Sequence, residues 1–176
     1  MAALVEAARD PAYPAEIVCV VSNRPDATGL EFARSRNILN HVIDYKLYST
    51  RESFDAALND YLQSQKLDLI ACAGFMRIMT SVLLEPWAGK MININPSLLP
   101  LYKGTHTHER ALADGVKVHG CSVHYVTAEL DSGPVIAQVE VPVLPGDTPE
   151  TLSARVLVAE HELYSKTLAI VASKLT

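Results

Sequence analysis

Apolar positions along the chain alternate between two rhythms. The opening MAALVEAARD is made of good helix formers and reads as a short helix. EIVCVV (Glu16 to Val21) is instead an unbroken apolar run, closed by the turn residues Ser22-Asn23-Arg24-Pro25-Asp26, and reads as a buried strand. A helix is expected around Gly29 to Arg36, followed by a weak strand near His41 to Tyr48. Ser49 and Glu52 have the spacing of a capping box, and Phe54, Ala57, Leu58, Tyr61 and Leu62 fall on one face of the helix behind it.

LDLIACAG (Leu67 to Gly74) is the strongest candidate for a buried strand, and MININ (Met91 to Asn95) is another after a short helix around Ser81 to Glu85. Thr105 to Asp114 predicts a helix ended by Gly115. CSVHYV and VIAQVEV (Val135 to Val141) alternate as half-buried strands do. The last helix is announced by Thr148-Pro149-Glu150, an N-cap with proline at the first helical position. Leu152, Val156, Ala159, Leu163 and Ile170 are its expected core face.

Strands without polar alternation, interleaved with helices, imply an α/β fold with a Rossmann-like, mostly parallel sheet and helices on both faces. No linker or internal repeat interrupts the pattern, so residues 1–176 are expected to form one domain. Folds of this type usually open with a strand whose following turn presents backbone N–H groups to an anion. Here the pattern begins inside what reads as the first helix, so a strand and a glycine-rich turn are expected ahead of Met1.

Composition narrows the class. Hydrophobic residues make up 49% of the chain and charged residues 20%, as in globular domains. The net charge of −5 and the lack of a basic run argue against a nucleic-acid partner. No apolar run approaches the ~20 residues of a membrane span. Cys19, Cys72 and Cys121 are widely spaced in apolar segments and read as buried reduced thiols, which points to a cytoplasmic protein.

Three strand ends carry residues suited to chemistry, and α/β sheets bind ligands outside the carboxyl ends of their strands. Asn93 and Asn95, two apart, share a strand face and could aim carboxamides at a developing oxyanion. Asp131 precedes Ser132-Gly133-Pro134, where turn chemistry explains it about as well as catalysis does. His124 shares a strand face with Ser122 and Val126, and a lone strand histidine is more often structural. His106 and His108 have no third ligand nearby in sequence, so no metal is expected. Lys103, Arg51 and Arg77 are the cations nearest these ends.

Together these segments resemble the phosphoribosylglycinamide formyltransferases of purine synthesis. The likeness is carried by AGFMRIM (Ala73 to Met79), MININPSLLPLYKGTHTHERAL (Met91 to Leu112), HGCSVHYVTAELDSGPVIAQ (His119 to Gln138) and AEHELY (Ala159 to Tyr164). The PSLLP and ELDSGP elements are shared with other folate-dependent formyl-handling enzymes, whereas GTHTHERAL and HGCSVHYV are narrower. The resemblance implies transfer of a formyl group from 10-formyltetrahydrofolate to glycinamide ribonucleotide, without a metal, in a monomer or homodimer.

By the same resemblance, Asn93 stabilises the oxyanion and Asp131 supports a general acid. Folate would contact Arg51, Met76, Arg77, Ile78, Met79, Asn93 and Thr127, Ala128, Glu129, Leu130 and Asp131. Glycinamide ribonucleotide would contact Leu157, Val158, Ala159 and Glu160. The family's acid is a histidine at the position of Asn95, and a carboxamide has no proton to give near neutral pH. Reduced or lost turnover is therefore expected, with His124 as a substitute proton source through a relayed water. The alternatives are a deformylase, a formyltransferase for another amine, and a non-catalytic folate-binding protein.

Overall fold

The Thr148 hydroxyl accepts a hydrogen bond from Thr151 N–H, the Thr151 hydroxyl accepts one from Thr148 N–H at 2.9 Å, and Pro149 follows the cap. This reciprocal cap starts α6 (Pro149–Ala172), the helix that anchors the fold. The computed structural model describes residues 1–175. Leu152, Val156, Leu163 and Leu168 of α6 pack with Ile92, Cys121, Val123 and Val141 into one apolar cluster. The Tyr164 hydroxyl lies 2.8 Å from the Cys72 carbonyl and 3.1 Å from that of Ile92, fastening the helix to two neighbouring strands.

Among the described residues the strands form two sheets. β1 (Cys19–Ser22) and β2 (Leu39–Val42) pair in parallel. β3 (Ile70–Cys72), β4 (Met91–Asn95), β5 (Val118–Tyr125) and β6 (Val135–Pro142) lie in that order. β3 and β4 are parallel, while β4–β5 and β5–β6 are antiparallel. The remaining helices are α1 (Ala2–Ala7), α2 (Thr28–Ser35), α3 (Arg51–Ser64), α4 (Ser81–Leu84) and α5 (Thr107–Ala113). A second cluster joins Phe54, Leu58 and Leu62 of α3 to Ile43, Leu83, Trp87 and Met91. The α/β, Rossmann-like class expected from the hydropathy pattern is the class observed, with parallel pairs β1–β2 and β3–β4.

Several local expectations shift. The capping box of α3 is Thr50 with Ser53 rather than Ser49 with Glu52, because the Thr50 oxygen accepts from Ser53 N–H at 3.1 Å. The weak strand expected to Tyr48 ends at Val42 and gives way to a 3-10 turn over Tyr45–Leu47, capped by Asp44. β5 is buried along nearly its whole length because β4 and β6 flank it and α6 covers it. Ile170 is half-exposed, on the side of α6 away from the core. The most apolar runs make short strands, β1 and β3, which are only partly covered.

Candidate active site

The carboxyl end of β4 and the loop after β5 meet over four side chains. The register sets Asn93 opposite His124 and Asn95 opposite Ser122. A bulge at Val123/His124 offsets the antiparallel ladder there, re-aiming the residues that follow. Asp131 then comes back over β4 from a tight loop, in the left-handed conformation with φ of 47°. Gly133 makes that loop fit: a Cβ at this position would stand 1.8 Å from the Tyr125 carbonyl oxygen.

The resulting contacts are specific. Asn95 Nδ2 donates to Asp131 Oδ2 at 2.6 Å, and Gly104 N–H donates to the same oxygen at 2.8 Å. The other oxygen, Oδ1, lies 3.6 Å from His124 Nε2. His124 Nε2 is also 3.4 Å from Asn93 Nδ2, while Nδ1 sits 2.9 Å from the Tyr125 carbonyl. A carbonyl accepts only, so Nδ1 carries a proton and Nε2 is the nitrogen free to gain or lose one. The His124 and Asp131 side chains are 3% and 11% exposed, which shields their interaction from water.

The backbone between Asn95 and Gly104 is held from below. The Ser122 hydroxyl donates to the Ser97 carbonyl at 2.6 Å and accepts from Leu99 N–H at 3.0 Å. Gln138 Nε2 donates to the Leu99 carbonyl at 2.9 Å and to Ser122 Oγ at 2.7 Å. Ser122 and Gln138 escaped the sequence reading because their partners are backbone and hydroxyl groups at least sixteen residues away. Lys103 Nζ donates to Ser132 Oγ and lies 3.8 Å from Glu129, tying this segment to the Asp131 loop.

The segment after β3 is fastened to α3 and to the 3-10 turn ahead of it. Arg77 stacks over Tyr45 at 4.3 Å and over Phe54 at 5.3 Å from the ring centres. Thr80 N–H and hydroxyl both donate to Asp55 Oδ2, at 2.6 and 2.8 Å. Asp55 is 2% exposed and was missed by the sequence reading, since an acid in a helix carries no local sign of a distant partner. Met79 packs into the second apolar cluster, whereas Met76, Ile78 and Leu130 are 76%, 63% and 60% exposed. Arg51 is exposed at the start of α3, and Thr127, Ala128 and Glu129 are exposed ahead of Asp131.

On α6, Leu157 and Val158 face solvent and Ala159 packs on the core. Burial pushes the Glu160 carboxyl up to about 6, with the Met1 amino group pulling it the other way. Burial also drives the Cys121 thiol up to about 12, with the charge of Glu160 adding to the effect. His106 is exposed and lies 3.4 Å from Glu109, while the His108 ring meets that of His119 at 5.2 Å. Burial lowers the pKa of both His108 and His119, keeping this pair neutral.

The profile of the formyl transferase family matches residues 1–168. The trifunctional purine biosynthetic protein adenosine-3 of Bos taurus is 46% identical over 171 residues, 97% of this chain and 17% of that protein. The chain thus spans about a sixth of the trifunctional relatives that it matches. Phosphoribosylglycinamide formyltransferase of Escherichia coli K12 is 42% identical over 92% of this chain and 76% of its own. The crystal structure of phosphoribosylglycinamide formyltransferase from Brucella melitensis superposes with a TM-score of 0.93 at 47% identity, covering 97% of this chain and 88% of that one. Glycinamide ribonucleotide transformylase 1 from Symbiobacterium toebii gives 0.95 at 41% identity, covering 98% and 81%.

Proposed function

The chain belongs to the formyl transferase family, and on that premise we propose that it transfers a formyl group from 10-formyltetrahydrofolate to the amine of glycinamide ribonucleotide. The observation that carries the reading is the convergence of Asn93, Asn95, His124 and Asp131 at the end of β4. The names of relatives similar over nearly the whole chain support the substrates.

In this reading the amine attacks the formyl carbon, and the carbonyl oxygen becomes an oxyanion. Each asparagine carboxamide has two N–H donors. Asn95 uses one on Asp131, and Asn93 has one near His124. The second hydrogen of each is available to the oxyanion, where a preorganised donor is worth about 10²–10³ in rate. The intermediate collapses by breaking the bond to N10 of the folate. The proton lost by the amine must reach N10, and His124 Nε2 is the titratable nitrogen placed to carry it, with Asp131 stabilising its charged form.

The pteridine and benzoyl parts of the folate are assigned to the walls made by Met76 to Met79, with Arg77, and by Thr127 to Asp131, and Arg51 is assigned to its anionic tail. Glycinamide ribonucleotide is assigned to the side of Glu160, with Leu157 and Val158 at the rim. The reaction calls for no metal. Reduced thiols and a nucleotide-precursor substrate suit the cytoplasm, with the chain acting as a monomer or homodimer.

Asn95 favours a second reading, a folate-binding protein without turnover, because its carboxamide occupies an Asp131 oxygen but supplies no proton. A formylation assay with glycinamide ribonucleotide decides between them. Product that depends on the acceptor amine supports the transferase. Folate binding without product supports the binding protein, and formate release without acceptor would indicate a deformylase.

A further inference from the structure

Asp131 Oδ2 accepts the Gly104 N–H at 2.8 Å, and that N–H belongs to the Lys103–Gly104 peptide. The carbonyl at the other end of the same peptide, that of Lys103, accepts from Arg110 Nη1 at 2.7 Å. Arg110 Nη1 also lies 3.5 Å from the Thr105 carbonyl, so one guanidinium grips the chain on both sides of Gly104. Tyr102, Gly104 and His106 all have left-handed backbones, with φ of 52°, 82° and 57°. Among the described residues, Lys103, Gly104 and Thr105 make no backbone–backbone hydrogen bond, so side chains hold this loop. Arg110 is itself braced. Its guanidinium carbon stands 5.4 Å from the centre of the Tyr102 ring, and the Tyr102 hydroxyl donates to Asp114 at the end of α5.

We infer that Arg110 is a positioning residue for the Asn93–Asp131 cluster, acting through the one peptide that it holds by the carbonyl and that holds Asp131 by the N–H. A peptide is planar, so fixing its carbonyl fixes the direction of its N–H. A hydrogen bond from a charged donor is roughly twice as strong as a neutral one. It also draws electron density along the peptide, which strengthens the bond made by the N–H at the far end by about 10–30%. With Oδ2 engaged by Gly104 and Asn95, Oδ1 is left facing His124 Nε2. An exposed arginine normally keeps its guanidinium in water, but two carbonyls and a ring face converge on this one. The consequence for turnover rests on the transferase reading above; the link from Arg110 to Asp131 does not.

The test compares the whole chain with Arg110→Met, which keeps the length and loses the charge, and with Arg110→Lys, which keeps a cation able to reach one carbonyl. Amide proton NMR and hydrogen exchange are read at Gly104 and, as an internal control, at Leu99, whose N–H is held by Ser122. In Arg110→Met the Gly104 amide should exchange at least ~10-fold faster and its proton should shift upfield, with Leu99 unchanged. Arg110→Lys should fall between the two. Formylation of glycinamide ribonucleotide should drop about 10-fold in Arg110→Met with KM unchanged, as expected when a reacting group is slightly misplaced.

An unchanged Gly104 amide in Arg110→Met overturns the inference. So does equal acceleration at Leu99, because Arg110 would then only stabilise the fold as a whole. Arg110→Lys no better than Arg110→Met overturns it too, since a cation on the Lys103 carbonyl should restore part of the effect. A loosened Gly104 with turnover intact removes the positioning role. A parent chain without turnover sinks the transferase reading instead, and the Gly104 and Leu99 amides then decide on Arg110 by themselves. Should Arg110→Met fail to fold, Arg110→Gln, neutral and polar, is read against the same outcomes.

Discussion

Asn95 and Asp131, thirty-six residues apart, are joined by a 2.6 Å hydrogen bond from the carboxamide Nδ2 to Oδ2 of the carboxylate. Gly104 N–H donates to the same oxygen, so one carboxylate oxygen organises two separate loops. The other oxygen faces His124. The division of one carboxylate between a fixed amide and a titratable ring underlies the first three predictions.

Asn95→His adds a proton donor at the position where the proposed reaction develops negative charge. Formylation of glycinamide ribonucleotide should rise ~100-fold, the typical worth of a positioned general acid. Steady-state assays of both proteins check it. Equal rates would show that position 95 does not limit the reaction.

His124→Gln keeps a side chain of similar reach while removing the proton carried by Nε2. Turnover should fall ~100-fold with folate affinity little changed, as expected for an acid–base group and not for a binding contact. In the Asn95→His background the loss should be smaller, since a second acid is then present. An unchanged rate in the parent chain returns His124 to a purely structural role.

Asp131→Asn tests charge apart from shape. Asn tolerates the left-handed backbone that this position adopts, so the loop should keep its course. Gly104 can still find an acceptor, but no carboxylate then stabilises a charged His124. Turnover should drop at least ~10-fold while Tm barely moves, because the negative charge facing the ring is lost and the shape of the loop is kept. A large fall in Tm with turnover intact would refute that assignment.

Glu160 is linked to pH through stability. Burial raises its folded pKa to about 6, above the unfolded carboxyl value near 4.5. Between those values the folded chain binds more protons than the unfolded chain, so stability falls as pH rises through this window. Glu160→Gln has no ionisation to suppress. It should therefore raise Tm relative to the parent at pH 8 and give almost no gain at pH 4, measured by calorimetry.

Asp55→Ala leaves the buried Thr80 N–H and hydroxyl without their acceptor. Stability should fall by about 1–3 kcal/mol, the cost of orphaning buried donors. Because Thr80 follows the Met76 to Met79 segment directly, folate affinity should weaken as well. Urea melts and folate titration check the two effects separately, and wild-type affinity in a destabilised variant would detach this segment from the folate.

Most of the elements were legible in the chain, because their signals are local. Thr148-Pro149 starts α6 through bonds that close within three residues. The alternation of apolar runs and helical faces was enough for the α/β class. Asn93, His124 and Asp131 were noted by residue type near strand ends, but a structural role or turn chemistry explained His124 and Asp131 at least as well, and only the family resemblance gave them catalytic parts. Even here local signals had limits: Ser49–Glu52 and Thr50–Ser53 have the same spacing, and only the backbone angles at Thr50 select the second pair.

The remaining features arise from long-range contacts. Strand pairing depends on contacts between residues far apart, so periodicity could not show that β5 lies buried between β4 and β6 or that β1 and β3 fall in separate sheets. Asp55, Ser122 and Gln138 gained their roles from backbone and hydroxyl partners brought in by folding. The bond between Asn95 and Asp131 exists because a bulge in β5 and a glycine at 133 fold one loop over another strand. Hydropathy records how much each residue avoids water, but it carries no information on which distant group will meet it.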